Sequence, residues 1–299
     1  MARKLIYYIN LRANRFADTA AGQLGVRWTL RAEEKKAEVT NEPGYSSHTI
    51  FAATEKFIQF YKDYSFGVFT FSTLGTKAVY NIDSYLFSSM QGTLDSIRQV
   101  LLLGRINDAY ALLRKLHDAV VVNICADLFL QDNIGEENLL VPQVNEWFLG
   151  NKKLPEFRIM SQYIRDSSRL KALNELLYKD DRYKRIRENC NDHVHYNSFD
   201  IVLANDSEIL NRNRIALLDQ FLLDIQDVVV LHLSYSFFIN GHYMMASDYM
   251  DSLELGMTPE EGSQYLVAPY VQEIFDTVMV RFRPDIAELI KKESHMQIE

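Results

Sequence analysis

The stretch RIRENCNDHVHYN (185–197) gathers Arg185, Arg187, Asn189, Asn191, Asp192, His193, His195, Tyr196 and Asn197. It holds two of the chain's seven histidines, and it continues a basic run of Arg182, Lys184, Arg185 and Arg187. An imidazole titrates near neutrality and can give or take a proton. A guanidinium stays charged and can hold phosphate oxygens. Together they suit phosphodiester cleavage without a metal. One group deprotonates a ribose 2′-OH, another protonates the leaving oxygen, and the cation stabilises the phosphorane charge. The substrate of such chemistry is RNA, because the nucleophile is the 2′-OH. On one unbroken helix Arg187 and Asn191 share a face, one turn apart. His193 would lie ~120° and His195 ~80° round from Arg187. A bend, a helix end or a second subunit is then needed to complete the site. The plainer alternative is a polar helix end, with Asn191 and Asp192 as caps and both histidines on the surface.

A second stretch, LLLGRINDAYALLRKLHDAVVVNI (101–124), places Arg114 and Asp118 at i and i+4 among Ala111, Leu112, Leu113, Leu116, Ala119 and Val120. A charged pair on a mostly apolar helix is notable, since buried charges must be paired. The plain reading is an ordinary helix-face ion pair. His117, on the same helix, reads as solvent-facing or at the edge of the core.

These stretches together resemble the HEPN superfamily, the higher eukaryotes and prokaryotes nucleotide-binding helical bundle. Its signature is an Arg, four to six residues and a His, near the start of the last core helix. Arg187, then ENCND, then His193 meets that spacing. His195, in VHYN, is the rival register with seven intervening residues. Glu188 stands where the family often has Asn, Asp or His after the Arg. ALLRKLHDA (111–119) is similar to the earlier core helix, which carries an Arg and an acidic residue one turn on. The resemblance covers roughly residues 76–240. It implies a helical, dimeric, metal-independent endoribonuclease of toxin–antitoxin, abortive-infection or antiviral defence systems, needing no cofactor. By that resemblance Arg187 holds the scissile phosphate, His193 or His195 acts as acid/base, Asn191 orients, and Arg114 and Asp118 brace. Arg182, Lys184 and Arg185 steer RNA. The partners implied are RNA, a second copy of the chain, and a cognate antitoxin or regulatory protein. Two rivals remain open: a catalytically silent nucleotide-binding or protein-interaction module, and a toxin or antitoxin subunit regulated by modification of a tyrosine such as Tyr196.

Composition bounds these readings. Of 299 residues, 47% are apolar and 24% charged, which is a globular balance with room for a sizeable core. Only 12 Gly and 6 Pro argue for long helices over many hairpins. The net charge of −8 disfavours a general polyanion binder and leaves room for a local basic patch. Charge is uneven: residues 1–36 hold eight Lys/Arg against three Asp/Glu, and residues 241–299 hold four against eleven. The two cysteines, Cys125 and Cys190, lack disulfide or zinc spacing. That fits a reducing cytoplasm, and no metal site is expected. The N-terminus does not read as a signal peptide, and VVVLHLSYSFFI (228–239) is shorter than a bilayer span, so no membrane partner is expected. Phosphate loops, nucleophile elbows and His-Glu-x-x-His helices are not found.

The positioning elements follow from periodicity. Val79, Ile82, Leu86, Met90, Leu94, Ile97 and Leu101 trace one helical face over 76–104, ended by Gly104. A helix over 108–131 follows, capped by Asn107 or Asp108, and pairs with the first as a hairpin. Shorter helices are predicted over 143–149 and 168–179, the latter capped by Ser167, and a basic one over 181–197. A long helix over 207–239 is apolar nearly all round in its second half. Thr258-Pro259-Glu260-Glu261 reads as a capping-box start of a helix to about Arg281, kinked near Pro269, with more helix after Pro284. The expected fold is mainly α: an N-terminal extension (1–75) of mixed or irregular structure with a short helix over 53–64, a helical bundle (76–240), and C-terminal helices packed on it (241–299).

Overall fold

The computed structural model describes residues 43–69, 79–134, 141–205 and 214–299. The strand expected over 4–11 lies outside them, as does most of 67–74. The described residues form a mainly α fold of twelve α-helices, with β structure confined to two isolated bridges.

Helix α1 (Thr49–Gly67) starts where the His48 side chain accepts a hydrogen bond from the Ile50 amide. Ile50, Thr54, Phe57, Tyr61 and Tyr64, at gaps of three and four, are buried on its inner face. The sequence reading sets residues 1–75 apart from the bundle. Instead, α1 packs along α2 (Ile82–Leu102) and shares one continuous core with the helices that follow.

In α2 the inward stripe runs Phe87, Met90, Leu94, Ile97, Leu101, each essentially inaccessible to solvent. Burial of each such side chain contributes about 1.5–3 kcal/mol. Gly104, at φ +76°, turns the chain into α3 (Ile106–Asn133), as its position predicts. The expected cap from Asn107 or Asp108 does not form, because Asn107 is turned into the core. Asn205 caps from across the molecule: its Oδ1 accepts from the Asp108 amide (3.1 Å) and its Nδ2 donates to Asp108 Oδ1 (2.7 Å).

Helix α3 is the hub. It packs on α2, on α5 (Phe157–Asp166), on α7 (Arg182–His195) and on α9 (Arg214–Ile239). The short helices α4 (Pro142–Phe148), α6 (Lys171–Leu177) and α8 (Phe199–Leu203) connect these; Ser167 makes no side-chain cap. Every residue of α9 from Val228 to Phe237 is buried. This helix is long and apolar enough to cross a membrane, but 67% of its most apolar window lies inside the bundle.

A buried polar ladder ties α1, α2, α3 and α9 together. Tyr61 donates its O–H to His232 Nδ1 (2.6 Å), and His232 Nε2 donates to Asn123 Oδ1 (2.9 Å). Asn123 Nδ2 donates to Asp83 Oδ1 (2.6 Å), whose other oxygen accepts from Tyr243 (2.6 Å). Burial pushes the His232 pKa down to about 3, so the ring is neutral. Asp127, bonded by Asn240 (2.9 Å), neighbours Asp83.

The C-terminal part departs from expectation. Thr258–Glu261 is not helical. Glu260 O accepts from the amide and hydroxyl of Ser263, and Gly262, at φ +84°, takes the left-handed turn between them. After α10 (Asp248–Glu254), the next α-helix, α11 (Pro269–Ile274), begins with Pro269 in its first turn. Pro269 therefore starts a helix and does not kink one. It continues through a π-helical turn, Phe275–Val280, and α12 (Pro284–Glu293) follows. Val271, Phe275, Met279, Ile286 and Ile290 belong to the same core.

Candidate functional site between helices α3, α5 and α7

Helix α7 runs unbroken to His195, where Tyr196 adopts a left-handed conformation (φ 52°) and Asp192 O accepts the Tyr196 and Asn197 amides. Its inward stripe is Tyr183, Ile186, Cys190 and His193, again at gaps of three and four. Arg187, Asn191 and His195, at i, i+4 and i+8, follow a different line.

Along that line Arg187 and Asn191 meet α3. Arg187 Nη1 donates to Asp118 Oδ1 (2.6 Å), and Arg114 Nε donates to both Asp118 oxygens (3.2 Å each). Arg114 Nη1 also bonds Asn191 Oδ1. The Arg187 guanidinium carbon lies over the Phe157 ring of α5, 3.2 Å from its centroid. Burial would raise the Asp118 pKa, but His117, Arg187 and Arg114 around it hold it at about 2. Burial lowers the Arg187 pKa, opposed by Asp118. The guanidinium is thus held between a carboxylate and an aromatic ring.

His193 is elsewhere. Six residues beyond Arg187, it turns into the core, where Nδ1 donates to Asn107 Oδ1 (2.8 Å) and the ring stacks on Tyr110 (4.0 Å, 17°). Burial takes its pKa down to about 4. The five-residue spacing is satisfied in sequence, while the helix sends the two side chains to different faces. His195 is exposed in the last turn, continuing the Arg187–Asn191 line. Asn191 does not cap; it belongs to the brace.

The steering cations divide as well. Arg182 is doubly paired, to Asp180 (3.0 Å) and Asp227 (2.9 Å). Lys184 is exposed and sits 4.0 Å from Glu188; Arg185 is exposed on the outer side of α7. Cys125 and Cys190 are inert thiols, raised by burial to about 11 and about 12. No cluster of three or more metal-ligating side chains occurs among the described residues.

The sequence reading put His117 at the surface or the edge of the core; it is instead buried, 5% exposed, against Phe157, and its Nδ1 has no hydrogen-bond partner among the described residues. It lines a cavity of about 200 Å³ with Arg187, Asn191, Phe157 and Tyr183. The signal was present, because His117 falls on the Leu113, Val120, Ile124 face that buries α3. Phe157 and Tyr183 gave none.

No protein-family model, curated protein or solved structure matches the chain.

Proposed function

We propose that the protein is a cytoplasmic, metal-independent endoribonuclease whose working row is Arg187, Asn191 and His195. What carries the reading is the Arg114–Asp118–Arg187–Asn191 brace, which holds a half-buried guanidinium in one orientation beside an exposed imidazole on the same helix. A fixed cation needs no reorganisation when charge develops on a phosphorane. In the reaction, a base takes the proton of a ribose 2′-OH and the freed oxygen bonds to phosphorus. The bond to the 5′-oxygen breaks, and that oxygen takes a proton from an acid, leaving a 2′,3′-cyclic phosphate and a 5′-OH end. Two proton carriers are required and each chain presents one exposed imidazole on the row. A homodimer that faces two rows supplies both, with Lys184 and Arg185 drawing in RNA.

The test is RNA cleavage in EDTA by wild type, Arg187→Ala, His195→Ala and His193→Ala. Arg187→Ala and His195→Ala are expected to lose on the order of 10²-fold or more; His193→Ala is expected to lose stability first. Equal activity in all four ends the proposal. A catalytically silent nucleotide- or protein-binding module is the second reading. It draws on Asp118 already engaging Arg187 and on His193 being in the core, and it expects no cleavage by wild type.

A further inference from the structure

Two buried polar atoms beside the brace have no partner among the described residues: His117 Nδ1 and the Tyr183 hydroxyl. Unpaired buried polar groups are rare and costly, about 1–3 kcal/mol each. Both residues line the same cavity, between α3, α5 and α7. Three cations line it too, Arg165, Lys184 and Arg187, against the Glu188 carboxylate, with Asp118 bonded behind Arg187. The surplus is one positive charge, and burial opposes a second on His117 by lowering its pKa. That balance matches an anion. Arg165 is itself placed by stacking over the Tyr178 ring at 4.2 Å.

Size narrows the ligand. A cavity of about 200 Å³ is below the ~300–1,000 Å³ of pockets that enclose a drug-sized molecule, and holds a small oxyanion. A more open groove of about 550 Å³ shares Phe157, Ser161, Arg165 and Arg187 with it, so anything attached to the oxyanion has a path outward.

We propose that this cavity is a binding site for a phosphoryl group, either inorganic phosphate or the phosphoryl end of a nucleoside monophosphate whose remainder lies in the adjoining groove. The Tyr183 hydroxyl supplies a donor and His117 Nδ1 a hydrogen-bonding nitrogen; Arg165, Lys184 and Arg187 supply the field. The proposal shares Arg187 with the nuclease reading and does not depend on RNA cleavage or on His195.

The experiment titrates the full chain calorimetrically with inorganic phosphate, a nucleoside 5′-monophosphate and the parent nucleoside, and follows the His117 ring signals by NMR. Saturable binding of a phosphorylated compound that moves those signals is expected. Tyr183→Phe and His117→Leu should each weaken it about tenfold or more, and Tyr183→Phe should leave the unfolding midpoint unchanged or higher, since it deletes an unpaired polar group. Equal affinity for phosphate and nucleotide assigns free phosphate as the occupant; much tighter nucleotide binding assigns the nucleotide. The proposal is overturned by absence of binding, by nucleoside binding as well as its phosphate, or by full affinity in folded Tyr183→Phe. Phosphoryl binding by a wild type that fails to cleave RNA would remove the nuclease reading alone.

Discussion

Two polar regions lie inside this bundle, and they are built differently. The ladder from Tyr61 through His232, Asn123 and Asp83 to Tyr243 leaves no side-chain polar atom without a partner. The α3–α5–α7 cluster holds its charges as firmly, yet keeps two buried polar atoms unpaired next to a cavity. A satisfied network acts as a key. It fixes which helix faces meet, because any other arrangement strands buried polar groups. A network with unpaired polar atoms and a void spends stability on something the fold does not need, and that is where a ligand is expected.

The contrast can be broken by mutation, and the largest effect belongs to the ladder. His232→Ala should cost about 3–5 kcal/mol in guanidinium unfolding, combining a cavity with the stranded Tyr61 hydroxyl and Asn123 amide. A loss below about 1 kcal/mol would mean the ladder is not a key. Asp118→Asn should cost less, about 1–2 kcal/mol after solvent screening, since Asp118 is 40% exposed while Arg187 and Arg114 lose their shared counter-charge. No change in stability or in Arg187 side-chain NMR signals would show that the brace orders nothing.

Acidity separates the regions by sign. Burial raises the pKa of Asp83 and, further, of Asp127, so the pair retains a proton in the folded state that the unfolded chain gives up. Their contribution is full below about 3.8 and falls as pH rises toward the folded value. Asp118 is the reverse: lowered to about 2, it adds stability above about 3.8 that disappears as pH falls toward 2. Asp127→Asn should therefore flatten the decline of unfolding free energy as pH rises above about 3.8, and Asp118→Asn should leave that limb alone and flatten the acid one. Matching pH profiles for the two variants would erase the distinction. The smallest effect is Tyr183→Phe, expected within about 0.5 kcal/mol of wild type or slightly stabilising. A loss above about 1 kcal/mol would place Tyr183 with the structural set.

Much of this was readable from the residues. The stripes of α2 and α3, the hairpin at Gly104, the buried α9 and the Arg114–Asp118 pair all follow from spacings of three and four. The face of α7 was readable too: Tyr183, Ile186, Cys190 and His193 form the same kind of stripe, and that rule sends His193 inward while the Arg-to-His motif wants it beside Arg187. Here packing decided, because an unbroken helix cannot present both. The false start at Thr258 shows the converse. Four residues carried a good cap, but Gly262 turned the chain before any apolar face could dock. Phe157 under Arg187, and Asn205 at the head of α3, could not be read locally, since both partners come from distant chain.

That last contact has a consequence for how the chain is made. Asn205 reaches the start of α3 across 97 residues. At roughly 5–20 residues per second of synthesis, the head of the hub helix waits about 5–20 s for its cap. In that interval the growing chain shows the ribosome's surroundings an open apolar groove where α7 and α9 will later lie. Early chaperone contact at that groove, and not at the finished surface, is what a nascent-chain crosslinking series should find.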